Sequence, residues 1–158
     1  FIIKYLRIFT YFCIYLLFII MATKKPYSYE IEIKVRDYEC DAQGIVNNAN
    51  YQHYFEHARH EFLEHAGCSF GKMREAGIEP VVAKIEINYK NSLRGGEWFV
   101  CKLYMRREGV RFVFYQDIFR VSDGALCADA KVTTVCTKNG KIIKGDELAS
   151  LLGDYLME

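Results

Sequence analysis

From Val81 to Thr137 the chain is a succession of strand-length runs cut by turn residues, with one long segment of helical period in front of them. The runs are Val81–Tyr89, Trp98–Arg106, Arg111–Val121 and Ala125–Thr137. They are separated by Gly95-Gly96, Gly109 and Asp123-Gly124, and Asn139-Gly140 closes the last. Asp-Gly and Asn-Gly supply the positive φ that tight hairpin turns need, so the breaks predict reversals and a four-strand meander. Runs of about ten residues are long for strands and suit a strongly curved antiparallel sheet. Ahead of them Tyr29–Val35 alternates polar and apolar residues, the period-two pattern of a half-buried strand. Asn50–Ala66 instead places Tyr51, Tyr54, Phe55, Ala58, Phe62 and Ala66 on one helical face, with Gly67 as its stop. Phe70–Ala76 reads as a short helical turn, and Asp146 as the cap of a last amphipathic helix running through Leu156. A helix as apolar as Tyr51–Ala66 is best buried by a sheet, so the expected fold is α+β: a curved antiparallel β-sheet wrapped around one long central α-helix.

The chain has 158 residues, 51% hydrophobic and 26% charged, with a formal net charge of +1. That balance fits one globular domain, offers no field for nucleic acid or an anionic membrane, and excludes a disordered chain. Its first twenty residues are unlike the rest. Phe1–Ile20 is almost wholly apolar, with Lys4 and Arg7 preceding an apolar run from Ile8 that only Thr10 breaks. The stretch is short for a membrane-spanning helix and lacks a small-residue cleavage site. Met21-Ala22-Thr23-Lys24-Lys25 resembles a native start. Residues 1–20 are therefore expected to lie outside the native domain, which spans 21–158; a membrane association is expected only if that segment is genuine. The six cysteines are far apart, without metal-ligand spacing, and fit free thiols in the cytoplasm.

The one stretch built for more than folding is Asp41-Ala42-Gln43-Gly44-Ile45-Val46-Asn47-Asn48-Ala49-Asn50-Tyr51. It delivers a carboxylate, a flexible glycine and three asparagines to the start of the long helix. Helix starts carry unpaired N–H groups and a partial positive charge, which can hold a developing oxyanion, while a carboxylate can attack or activate water. The plainer reading is that Asp41 fixes the loop and Asn48 or Asn50 caps the helix. His53, His57 and His60 share one helical face; a polar surface is the simpler reading, and no metal is expected. Glu56 and Arg59 are spaced for an i, i+3 ion pair. Lys90, Arg94, Arg106, Arg107 and Arg111 gather at strand ends, where phosphate contacts and ordinary solvation are equally served. Trp98, Phe112, Phe114 and Tyr115 read as packing residues.

The pattern Val35-Arg36-x-Tyr38-x-x-Asp41-x-x-Gly44-Ile45-Val46-x-x-x-Asn50-Tyr51, followed by Tyr54-Phe55-Glu56-x-Ala58-Arg59, resembles the 4-hydroxybenzoyl-CoA thioesterase family of hot-dog-fold acyl-CoA thioesterases. Ile85-x-Ile87-Asn88-Tyr89 and Gly95-Gly96 extend the resemblance. It implies a hot-dog fold, and a homodimer or homotetramer with sites at the interface. It also implies hydrolysis of an acyl- or aroyl-CoA with no cofactor, CoA being part of the substrate. By the same resemblance Asp41 is the catalytic carboxylate and the backbone N–H of Asn48 polarises the thioester carbonyl. Gly44 allows close approach of the acyl group, Ile45 and Tyr51 contact substrate, and Glu56 is a reserve catalytic residue. Asn47-Asn48-Ala49-x-Tyr51 is closer to the long-chain acyl-CoA and acyl-ACP branches, while Ile45 is of the hydroxybenzoyl type. The acyl group and its carrier stay open, and a non-catalytic acyl-CoA-binding module is the alternative.

Overall fold

The computed structural model describes residues 27–157; the apolar segment 1–20 lies outside them. Seven strands form one sheet: β1 (Tyr29–Lys34), β2 (Glu79–Tyr89), β3 (Trp98–Glu108), β4 (Arg111–Arg120), β5 (Leu126–Lys138), β6 (Lys141–Ile143) and β7 (Leu156–Met157). Three α-helices accompany them: α1 (Asn48–His65), α2 (Phe70–Glu75) and α3 (Asp146–Leu152), with single 3-10 turns at Asp37–Glu39 and Gly153–Tyr155. No helix among the described residues is long and apolar enough to cross a membrane.

The main path of the sheet runs β1-β3-β4-β5-β2, with β6 on β5 and β7 on β3. Strands β3, β4 and β5 are consecutive hairpins, as the turn residues at Gly109 and Asp123-Gly124 require. Asn139-Gly140 makes one hairpin more, pairing β6 with β5. The expected four-strand meander needs correction: β2 pairs with β5, not β3, because the free edge of β3 is taken by β1 over Trp98–Leu103 and by the parallel β7 at Met105 and Arg106. As the middle strand, β4 buries side chains on both faces, with Phe112, Val113, Phe114, Gln116, Asp117 and Ile118 all buried. In β3 only alternate residues, Phe99, Cys101, Leu103 and Met105, are fully buried, as expected of a strand with one core face.

The picture of a curved sheet wrapped around one long central helix is also overturned. The fold is α+β and hot-dog-like, but its sheet does not close: β1 and β2 stand at opposite ends of the path. Nor is α1 central, since it packs chiefly on β3 and β1 and leaves Gln52, His53, Glu56, His57, His60, Glu61 and Glu64 exposed. Its buried residues are Tyr51, Tyr54, Phe55, Ala58, Arg59, Phe62 and Leu63, one face only. The physical reason is the width of the apolar stripe: half a helix surface needs one layer of sheet, not an envelope. The last helix is shorter than expected. It ends at Leu152 because Gly153 turns the chain out at φ 47°, and Leu156 joins the sheet. Asp146 does not cap it; Gly145 does, at φ 71°, and Asp146 pairs with Arg107 instead. A Cβ on Gly145 would sit 2.7 Å from Cε2 of Phe112, so both backbone angle and space demand glycine there.

Candidate active site

The loop before α1 is folded by its own polar groups. A bridge between Cys40 and Val46 closes it, and inside that bridge Asp41 donates its N–H to the Ile45 carbonyl at 2.9 Å. The Gly44 N–H returns to the Asp41 carbonyl at 2.9 Å, at a φ of 70° that favours glycine. Oδ1 of Asp41 accepts the Gln43 N–H at 2.9 Å. With its nitrogen end turned to Asp41, the Gln43 amide also donates to both carboxylate oxygens, at 3.1 and 3.3 Å. The carboxylate is thus oriented by Gln43 yet only half-buried, and it lines a cleft.

Glu39 holds this loop onto the helix. It is buried, and its Oε2 accepts both the Arg36 N–H and the Tyr54 hydroxyl at 2.7 Å, while Oε1 takes the Arg36 guanidinium at 3.0 Å. Burial alone would raise its pKa, but the bonds from the Arg36 backbone, Tyr54 and the Arg36 side chain outweigh it and hold the carboxyl below its ordinary value. The Glu39 carbonyl accepts from the Asn47 N–H at 2.9 Å and Asn50 Nδ2 at 2.7 Å. Glu39 therefore sets where the helix begins. On the other side burial of Tyr51 pushes its phenol up, and its oxygen accepts the Leu93 N–H at 3.3 Å.

Neither Asn48 nor Asn50 caps α1. The cap is Asn47, whose Oδ1 accepts from the Ala49 N–H at 3.0 Å, while the Asn50 N–H goes to the Asn47 carbonyl at 2.9 Å. Asn48 is left as the first helical residue, and its N–H has no acceptor among the described residues. That is the donor position with the helix dipole behind it. The Asn48 carbonyl accepts the Tyr89 hydroxyl at 3.1 Å, tying α1 to the end of β2.

These residues enclose a cleft of about 210 Å³, lined by Asp41, Ile45, Val46, Asn48, Tyr51, Tyr89, Lys90, Asn91 and Ser92. Of the residues singled out in the sequence, Asp41, Asn48, Ile45 and Tyr51 meet here. Gly44 does not line the cleft; it shapes the loop, and a Cβ there would meet only Arg94 Nη1 at 4.0 Å. Glu56 is elsewhere, half-exposed on α1 with His53 and His60 at 4.0 and 3.9 Å. The expected Glu56–Arg59 ion pair gives way to a turn inward by Arg59, whose Nη1 donates to Gln116 Oε1 at 3.0 Å. The basic residues divide. Lys90 lines the cleft and Arg94 stands beside Gly44, whereas Arg107 is engaged with Asp146 and the Lys144 carbonyl. His53, His57 and His60 form an exposed polar face. Glu39, Gln43 and Tyr89 were not legible as site residues: a lone Glu in a polar stretch carries no signal of burial, and the other two act through tertiary contacts.

Residues 35–150 match the family described as the thioesterase-like superfamily. An acyl-acyl carrier protein thioesterase, ATL2, of Arabidopsis thaliana is 38% identical over 70% of this chain, which spans only 60% of that protein's length. The long-chain acyl-CoA thioesterase FadM of Escherichia coli is 33% identical over 68% of this chain and 81% of its own. A crystal structure of a hypothetical protein from Aquifex aeolicus, 34% identical, superposes with a TM-score of 0.73 over 78% of this chain and 98% of its own.

Proposed function

The chain belongs to the thioesterase-like superfamily, and from that premise we propose that it hydrolyses an acyl thioester carried on CoA or acyl carrier protein at the cleft between Asp41 and the start of α1. The observation that carries this reading is the shared cleft. A carboxylate oriented by Gln43 and an unpartnered helix-terminal N–H line the same space of about 210 Å³. The thioester carbonyl oxygen sits at the Asn48 N–H, where charge developing on it meets a fixed donor and the positive end of the helix. Asp41 takes a proton from water as the water attacks the carbonyl carbon, and the tetrahedral intermediate collapses to acid and thiolate. The thiolate is a good leaving group, so the step needs no strong acid. Ile45 and Tyr51 wall the acyl side. Lys90, in the cleft lining, and Arg94, beside the Gly44 turn of the same loop, are the cations proposed to meet phosphate on the carrier arm, which CoA and acyl carrier protein have in common. Val81, Val82 and Tyr89 are exposed along the bare edge of β2, which supports assembly of the chain with a second copy.

The test is free-thiol release from acyl-CoA and acyl-acyl carrier protein of short, long and aromatic type, with Asp41→Asn beside the unaltered protein. A fall of about 10²–10⁴-fold in kcat on the preferred substrate is expected. Turnover that survives Asp41→Asn removes Asp41 from the catalytic role and makes Glu56→Gln, in the lining of the neighbouring cavity, the next variant to assay. Binding of acyl-CoA without turnover on any substrate identifies a non-catalytic module.

A further inference from the structure

Farther along α1 a second cavity, of about 120 Å³, opens between the helix and the sheet. Its walls are apolar, including Leu63, Met105, Phe112, Phe114 and Leu152, but one of them is Arg59. Arg59 is only 5% exposed, and Gln116, itself 1% exposed, accepts from its Nη1 at 3.0 Å. Gln116 is fixed in turn by donating Nε2 to the Phe55 carbonyl at 2.9 Å. The guanidinium stands 6.0 Å over the Phe114 ring. No carboxylate among the described residues lies within ion-pair distance of it, so of its five donors one is satisfied, by a neutral amide. Glu56 also lines the cavity, half-exposed, with His53 and His60 at 4.0 and 3.9 Å, and its charge acts on Arg59 through space without a direct contact. Burial pulls the pKa of the Arg59 guanidinium below its ordinary value and the Glu56 charge offsets only part of that, so a direct anionic partner would relieve a real cost.

The place of this cavity matters as much as its chemistry. Tyr89 of β2 touches Asn48 at one end of α1, and farther along Pro80 and Val82 of β2 line the same cavity as Arg59 and His60. Strand β2 therefore runs antiparallel to α1, and residues of both elements line each of the two cavities. Arg59 lies eleven residues beyond Asn48, about 16 Å along the helix axis.

We propose that the second cavity is a carboxylate-binding subsite anchored by Arg59, and that it receives the far end of an acyl group that bears a terminal carboxylate. The ligand it fits has an apolar body, for Phe112, Phe114 and Leu152, and an anionic end, for the free donors of Arg59. Its role in substrate choice rests on the hydrolytic reading above; its ability to bind a carboxylate does not.

The experiment separates the two. Octanoate and octan-1-ol are titrated calorimetrically into the full chain carrying Asp41→Asn, with and without Arg59→Met or Arg59→Lys. Octanoate is expected to bind about ten-fold or more tightly than the alcohol. Arg59→Met abolishes that preference and Arg59→Lys keeps part of it, with melting curves reporting on the fold of each variant. In parallel, the mono-CoA thioester of decanedioic acid is compared with decanoyl-CoA as substrate of the unaltered protein, and the diacid ester is expected to be preferred. Octanoate that fails to bind, binds no better than the alcohol, or binds equally to a folded Arg59→Met variant overturns the subsite. An octanoate preference without hydrolysis of any thioester supports the subsite and contradicts the Asp41 chemistry.

Discussion

The two stretches of α1 that border cavities handle charge in opposite ways. At its start the carboxylate of Asp41 is half-exposed and held by hydrogen bonds from Gln43, in a loop closed by backbone bonds and by the buried Glu39. In its middle Arg59 is buried among mainly aromatic and aliphatic side chains, and its side-chain hydrogen bond goes to the Gln116 amide. The first arrangement aims a carboxylate while solvent can still reach it, which suits a step that consumes water. The second holds a guanidinium without a direct anionic contact in a largely apolar wall, which suits recognition by complement. One helix serves both because the apolar face that fixes it to β1 and β3 leaves its first turn and the side toward β2 to line the two cavities.

Four substitutions sharpen that contrast. Gly145→Ala attacks the apolar region through Phe112: with a Cβ at 2.7 Å from the ring and a φ of 71°, it is expected to cost about 3 kcal/mol in urea unfolding. Its effect is independent of pH, since no titrating group is altered. Glu39→Gln attacks the polar region and is expected to cost about 2 kcal/mol at neutral pH, through charged hydrogen bonds to Arg36 and Tyr54. Here the pH profile carries the diagnosis. The folded carboxyl titrates below its unfolded value, so its contribution is present above ~pH 4.3 and is lost as pH falls through the folded pKa. The Glu39→Gln variant should therefore lose less stability than the unaltered protein over that acid range. Gly44→Ala strains the loop at φ 70° and is expected to cost ~1 kcal/mol and to lower turnover without abolishing it. His57→Ala, on the exposed face, should change stability by less than ~0.5 kcal/mol and leave turnover unaltered.

Local chemistry was legible in the sequence, and long-range pairing was not. Every hairpin whose turn carried Gly109, Asp123-Gly124 or Asn139-Gly140 formed where those residues stand, because positive φ is a local demand. The destination of β2 was not readable, since an alternating strand states which face is buried but not which neighbour it joins. The same limit hid the open sheet: the apolar stripe of α1 requires a covering surface, and its extent is set by topology. At the site, the residue types from Asp41 to Tyr51 pointed to the cleft, although the capping asparagine proved to be Asn47. Arg59 was misread because its spacing from Glu56 offered a local partner; the partner it took, Gln116, is fifty-seven positions away in β4.

In the proposed reaction the Asn48 N–H is the group that receives the thioester oxygen. Asn48→Pro removes that one donor, and proline at the first helical position suits both the helix and the extended ψ of 138° at Asn47. Steady-state thiol release by Asn48→Pro, with Asn48→Ala as the control that keeps the N–H, is the direct measurement. The expected result is a fall of about 10²–10³-fold in kcat for the proline variant. Its melting temperature should match that of the unaltered protein, and the alanine control should stay close to it in both. A folded proline variant that turns over as fast as the alanine control would contradict the account.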